Sequence, residues 1–224
     1  SSLRQLQVVT CMMVAARRAA RSDNAGMASQ RSLDKLLRDI RACTVCAPFL
    51  PLGPRPVLQA GHGARILLAS QAPGIKVHQT GIPFNDASGR RLREWLGMSE
   101  EVFYDREKVA IVPMGFCYPG RAAKGSGDAP PRPECAPLWR KRVMAQLPAI
   151  ELTVVIGVYA LAWHVPDAKK MGVTEAVRQW QRWWPHTLVL PHPSPRNNGW
   201  LKNNPWFEQE LLPKVRERVG ELLL

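Results

Sequence analysis

Long apolar runs are missing from this sequence. A helix that crosses a bilayer needs about 20 of them in a row, and the nearest approach, Leu6 to Ala16, is short. Arg17, Arg18 and Arg21 follow that run, whereas a secretory signal puts its charges first. A GxxxxGK[ST] loop is also missing, which argues against nucleotide chemistry built on a phosphate cradle. Internal repeats and low-complexity core segments are absent. Cysteine is sparse, five in 224 residues, and a secreted disulfide scaffold is disfavoured at this size without a signal. Acidic residues are the scarcer charge. Asp and Glu number 18 against 31 Lys and Arg, a net charge of +13. Such an excess suits a polyanion, because cations that neutralise phosphates release condensed counterions.

The length suits one α/β domain, and 46% hydrophobic residues supply its core. The globular pattern begins at Met27 with MASQRSLDKLLRDI. Residues 1–26 are expected to form a disordered extension, and residues 27–224 the folded domain. Ser32 is an expected N-cap for a helix from about Leu33 to Ala42, with Leu33, Leu36, Leu37 and Ile40 on one face. Buried strands are expected at residues 64–69, 108–112, 152–156 and 187–190. Helices are expected at 88–96, 138–147, after Gly157 to about Trp163, and from Trp206 to the end. The Pro- and Gly-rich stretch 118–137 reads as a loop. Strands that alternate with helices imply a three-layer α/β/α sandwich with a central, mainly parallel four-stranded sheet. Sites in such sheets lie beyond the carboxyl ends of the strands. Residues 71–74 and 192–197 fall there. Trp183, Trp184, Trp200 and Trp206 suit packing better than base stacking.

Cys43 and Cys46 form a CxxC at the end of the first helix, Cys117 ends the second strand, and Cys135 closes the loop. Two thiols at CxxC spacing converge on one point. Four thiolates satisfy either zinc or an iron–sulfur cluster, and the wide second pair is unlike a zinc ribbon's repeated CxxC.

Three segments complete the pattern. They are Ser70-Gln71-Ala72-Pro73-Gly74, then Gly81-Ile82-Pro83-Phe84-Asn85-Asp86-Ala87-Ser88-Gly89, then His192-Pro193-Ser194-Pro195-Arg196-Asn197. In this order, with the four cysteines, they resemble the uracil-DNA glycosylase superfamily over most of residues 33–213. The cysteines are similar to those of its iron–sulfur branch, and HPSPRN is similar to the motif of single-strand-selective uracil glycosylases. The resemblance implies a 4Fe–4S cluster on Cys43, Cys46, Cys117 and Cys135, with zinc as the alternative. It also implies a monomer that works in the cytoplasm, on the nucleoid of a bacterium, away from membranes, with DNA carrying a damaged base as its partner.

Breaking a base–sugar bond gives an oxocarbenium-like sugar and an anionic base. The base must first leave the stack and enter a pocket. A preorganised donor must then stabilise the anion. The resemblance gives that donor as His192, and Phe84 as the ring on which the flipped base stacks; the plainer readings are a loop histidine and a core ring. Gln71 and Ala72 would bind the base. They replace a Glu and an Asp found in other branches, and an amide cannot serve as a base near neutral pH. Asp86 would orient water or stabilise the sugar cation, or simply cap the helix that follows it. Asn85 would position water. Ser194, Pro195, Arg196 and Asn197 would enter the DNA at the vacated position. Pro113 stands where the iron–sulfur branch often has Asn to read uracil, so the accepted base is not implied. Two alternatives remain open: a lesion- or abasic-site-binding protein without catalysis, and a zinc-stabilised enzyme of free nucleosides.

Overall fold

A computed structural model describes residues 26, 28–125 and 127–224. The extension expected at residues 1–26 lies outside these, apart from Gly26. Helix α1 covers residues 28–41. It therefore starts before Ser32, and the Gln30 amide donates to Asp34 one turn on at 3.0 Å. Nothing between Ala28 and Ser32 breaks a helix, so the hydroxyl at 32 is not needed as a cap.

The sheet runs in the order β2-β1-β3-β4. Its strands are β1 (Ile66–Ala69), β2 (Val109–Ile111), β3 (Leu152–Ile156) and β4 (Thr187–Leu190), all parallel. Ile66 sits between Val109 and Leu152, and Thr153 faces Thr187. Each strand is apolar and buried, as a sheet covered on both faces requires. The outer edge of β2 is closed by Gln59, whose backbone pairs with Ile111 in both directions at 2.7 and 2.9 Å. That single antiparallel bridge gives an open edge a partner.

Side chains alternate along each strand. Leu67, Ala110 and Val112 pack with α1 and with Trp139 and Val143 from a helix across residues 135–144. Ile66, Leu68, Val109 and Ile111 pack on the other face. That second face carries α3 (Ala87–Leu96), bracketed by α2 (Ile75–Thr80) and α4 (Glu100–Tyr104), with α9 (Leu212–Leu223) packed on α3, whereas α6 (Val158–His164) and α7 (Gly172–Arg178) follow β3 and His164 brings α6 against Arg140 of the 135–144 helix. The three-layer expectation holds. The short helices α2, α4 and α7, and α8 (Asn198–Asn203), have too few residues for a visible period. The 135–144 helix departs from the expected 138–147. It opens with a π turn at Ala136–Arg140 and closes as α5 (Lys141–Met144). The wide turn carries Arg140 into the interior, where it is 0% exposed.

The chain runs from β1 outward to β2, then returns past β1 to add β3. The reversal opens a crevice at the carboxyl ends of the strands. Among the described residues, no helix is long and apolar enough to cross a membrane.

Candidate active site

Loops after β1, β2 and β4 surround a cleft of about 610 Å³. The first is Ser70–Gly74. Its Ser70 and Gln71 carbonyls accept from the amides of Met114 and Gly115 at 2.8 and 2.9 Å, lacing it to the loop after β2. Ile111 and Pro113 also line the cleft, with Val57 and Val77.

The second segment enters from α2, which Gly81 ends in the left-handed region at φ 74°. Phe84 then takes φ 54°, strained for a side chain of that size. What holds it is close packing. A Cβ on Gly89 would overlap the Phe84 carbonyl oxygen, so glycine lets the first turn of α3 press on that backbone. The ring lines the cleft with its edge to Phe103, centroids 6.2 Å apart. Asp86 caps α3, Oδ1 accepting from the Gly89 amide at 2.9 Å. It also lines the cleft, so the cap and a role in the cleft are compatible. Asn85 is half-buried and is not among the residues that line it.

The third segment follows β4. His192 is largely buried among these loops. The Ser194 amide donates to its Nδ1 at 3.2 Å. In a neutral ring the proton then sits on Nε2. Burial holds the imidazole below its usual range; Asp86 opposes that and Arg196 adds to it. His192 is therefore a neutral donor at neutral pH. Asn197 donates to the His192 carbonyl at 2.6 Å. Arg91, from α3, donates to the Ser194 carbonyl at 3.1 Å and to Asn198 at 2.8 Å, pinning the loop to the helix that carries Asp86. Ser194, Pro195, Arg196 and Asn197 form the rim. Trp200 belongs to the packing instead: it donates to Thr174 at 2.8 Å, and its ring meets Phe207 edge-on.

Gln71 and Ala72 line the cleft. The Gln71 amide donates to the Ala129 carbonyl at 3.2 Å. Ala129 belongs to the 118–137 loop, which turns out to form a wall. Gly127 and Asp128 line the cleft too, and sequence reasoning missed them. Asp128 sits in no periodic segment, and only its flanking glycines and prolines marked the place as a loop. Arg140 and His164 were missed as well. Arg140 donates to the Val112 and Pro113 carbonyls at 2.7 and 2.9 Å, bracing the cleft floor from behind, and meets His164 Nε2 at 2.6 Å.

The four cysteines line one pocket, with Ile40, Phe116, Leu138 and Trp139. All are free thiols. Cys43 lies two residues past the end of α1, Cys46 precedes a 3₁₀ turn at Ala47–Phe49, and Cys135 opens the helix that leads to Arg140. The Trp139 indole donates to Cys43 Sγ, and the Phe116 amide to Cys135 Sγ, each at 3.4 Å. Burial pushes Cys135 up to about 12 and Cys117 up to about 11. Thiolates there need a compensating cation. Among the described residues, no three ligating groups are close enough to enclose a single ion.

A buried neutral imidazole and a carboxylate thus line one cleft at the switch point of a parallel sheet, in a strongly basic chain. The family model of the uracil DNA glycosylase superfamily matches residues 59–216, well over half of the chain, and the protein belongs to that superfamily. A solved structure similar to it is a solution NMR structure of "a putative Uracil DNA glycosylase from Methanosarcina acetivorans". It is 17% identical, with 73% of this chain and 98% of that chain covered, at a TM-score of 0.41.

Proposed function

We propose that this protein is a DNA repair glycosylase that flips out a deaminated or damaged base, uracil or a related one, and hydrolyses its N-glycosidic bond to leave an abasic site. One observation carries the reading: His192 is held as a neutral imidazole with its Nε2 proton available, because the Ser194 amide occupies Nδ1. Such a donor stabilises charge on the departing base without having to reorganise. Phe84 supplies a ring for the base to stack on. Asp86 places a negative charge across the cleft from His192, where an oxocarbenium-like sugar would gain from it. The HPSPRN rim presents Arg196 and two prolines to the gap that the base leaves.

The test is a panel of oligonucleotides carrying uracil, hypoxanthine, xanthine and oxidised bases, scored for alkali-sensitive breaks. At least one base should be released. His192→Ala should lower that rate about 100- to 1,000-fold, with abasic-DNA binding retained. A wild type that releases nothing yet binds abasic DNA tightly would put a lesion sensor in the enzyme's place. The non-ionisable Gln71 and Ala72 in the cleft favour that second reading.

The thiol pocket fits a metal group. Its donors are soft, all four face one space, and two of them accept N–H bonds of the kind that tune cluster sulfurs. We assign Cys43, Cys46, Cys117 and Cys135 to a 4Fe–4S cluster. Zinc is the alternative that four thiolates also satisfy. When bound, the cluster would tie α1, the loop after β2 and the 135–144 helix together. Protein purified without oxygen should be brown; a colourless protein with stoichiometric zinc would remove the iron.

A further inference from the structure

We propose that Asp128 is the general base that takes the proton from the attacking water, an inference that rests on the glycosylase reading above. Two carboxylates line the cleft, Asp86 and Asp128, and their situations differ. Asp86 gives Oδ1 to the Gly89 amide, the start of α3. That oxygen is committed to the helix start. Asp128 stands at no helix start.

The 118–137 loop is shaped to present it. Arg121 and Asp128 pair as an antiparallel bridge. The Ala122 amide donates to the Gly127 carbonyl at 3.0 Å, and the Ala129 amide to the Gly120 carbonyl at 2.8 Å. Gln71 then fastens this hairpin to the first site loop through Ala129. Gly74 completes the fit: a Cβ there would lie 3.3 Å from Asp128 Oδ2, so the carboxylate lies against the backbone at Gly74.

The charges that bear on Asp128 are Arg196 from the HPSPRN rim, Arg121 from its own hairpin and Asp86 across the cleft. Burial outweighs the two arginines and holds the carboxyl above its ordinary range; Asp86 pushes the same way. A base works best when its pKa approaches the working pH.

The step balances as follows. The water oxygen bonds to the sugar's anomeric carbon. The carbon–nitrogen bond breaks, and its electron pair leaves on the base. His192 Nε2–H holds that anion by hydrogen bond and keeps its own proton. The water's proton passes to Asp128 and from there to solvent.

The experiment compares wild type, Asp128→Asn and Asp86→Asn in single-turnover release of whichever panel base the wild type cleaves fastest. It is run across pH, with binding to a tetrahydrofuran abasic oligonucleotide and melting measured in parallel. Asp128→Asn should be slower by about 100- to 10,000-fold, with abasic binding and melting near wild type. The wild-type rate should fall on the acid side as Asp128 protonates, and Asp86→Asn should keep that limb. An active wild type with no acid limb overturns the inference even if Asp128→Asn fails to fold. So does an Asp128→Asn variant within threefold of wild type, or one whose abasic binding and melting fall together with its rate. A wild type that releases no base overturns the glycosylase reading, and this inference with it.

Discussion

Asp86 serves two purposes that substitution can separate. Asparagine caps a helix about as well as aspartate, so Asp86→Asn should melt within a few tenths of a kcal/mol of wild type while removing the charge that faces His192. Asp86→Ala removes the cap as well and should cost about 1 kcal/mol, read by denaturant unfolding. Base release should fall in both. Equal rates for wild type and Asp86→Asn would leave Asp86 as a cap alone. Gly89 is the stricter position. Any side chain there meets the Phe84 carbonyl, which is backbone and cannot swing away. Gly89→Ala should destabilise the fold by at least about 3 kcal/mol and displace the ring from the cleft.

The helix across residues 135–144 joins the thiol pocket to the cleft floor. Cys135 opens it and Arg140, at the end of its π turn, holds the Val112 and Pro113 carbonyls that follow β2. Burial lowers Arg140 to about 10, so it stays cationic at neutral pH. Arg140→Met should cost several kcal/mol, since each buried carbonyl left without a donor costs about 1–3 kcal/mol. Lysine should not rescue it, having no planar fork to span two carbonyls and His164. Burial lowers His164 to about 3, and the Arg140 charge pushes the same way. Below the unfolded value of 6.5 the unfolded chain binds a proton that the folded chain refuses, so stability is lost as pH falls from 6.5 toward 3. His164→Gln should flatten that slope by up to about 1.4 kcal/mol per pH unit, measured as unfolding free energy against pH. Cys135→Ser, at the other end of the helix, should bleach a brown protein and lower its melting temperature.

At the scale of the whole molecule, the excess of Lys and Arg (31 against 18 acidic residues) should make binding to undamaged DNA steeply salt-dependent. Binding that stays flat across a salt titration would deny the phosphate contacts. The sheet strands, and the irregular stretch that precedes the 135–144 helix, are legible in the sequence. Buried strands announce themselves as apolar runs such as ILLA and LTVVI, and HPSPRN stands at a strand end because that is where a parallel sheet carries its site. Asp128, Arg140 and His164 were not legible, because each draws its meaning from residues distant in the chain. A carboxylate in a glycine-rich loop reads as solvated until the hairpin folds onto Gln71 and Gly74. An arginine in a polar helix reads as exposed until a π turn rotates it inward. By itself the sequence determined the family, the sheet and the presence of His192 beside two prolines, since these depend on local pattern and order. The tertiary structure alone decided that Ser194 occupies Nδ1 and so leaves the proton on Nε2, that Asp86 spends an oxygen on its helix, and that Asp128 joins the cleft. Those outcomes are set by hydrogen-bond partners and burial, which a linear pattern does not encode.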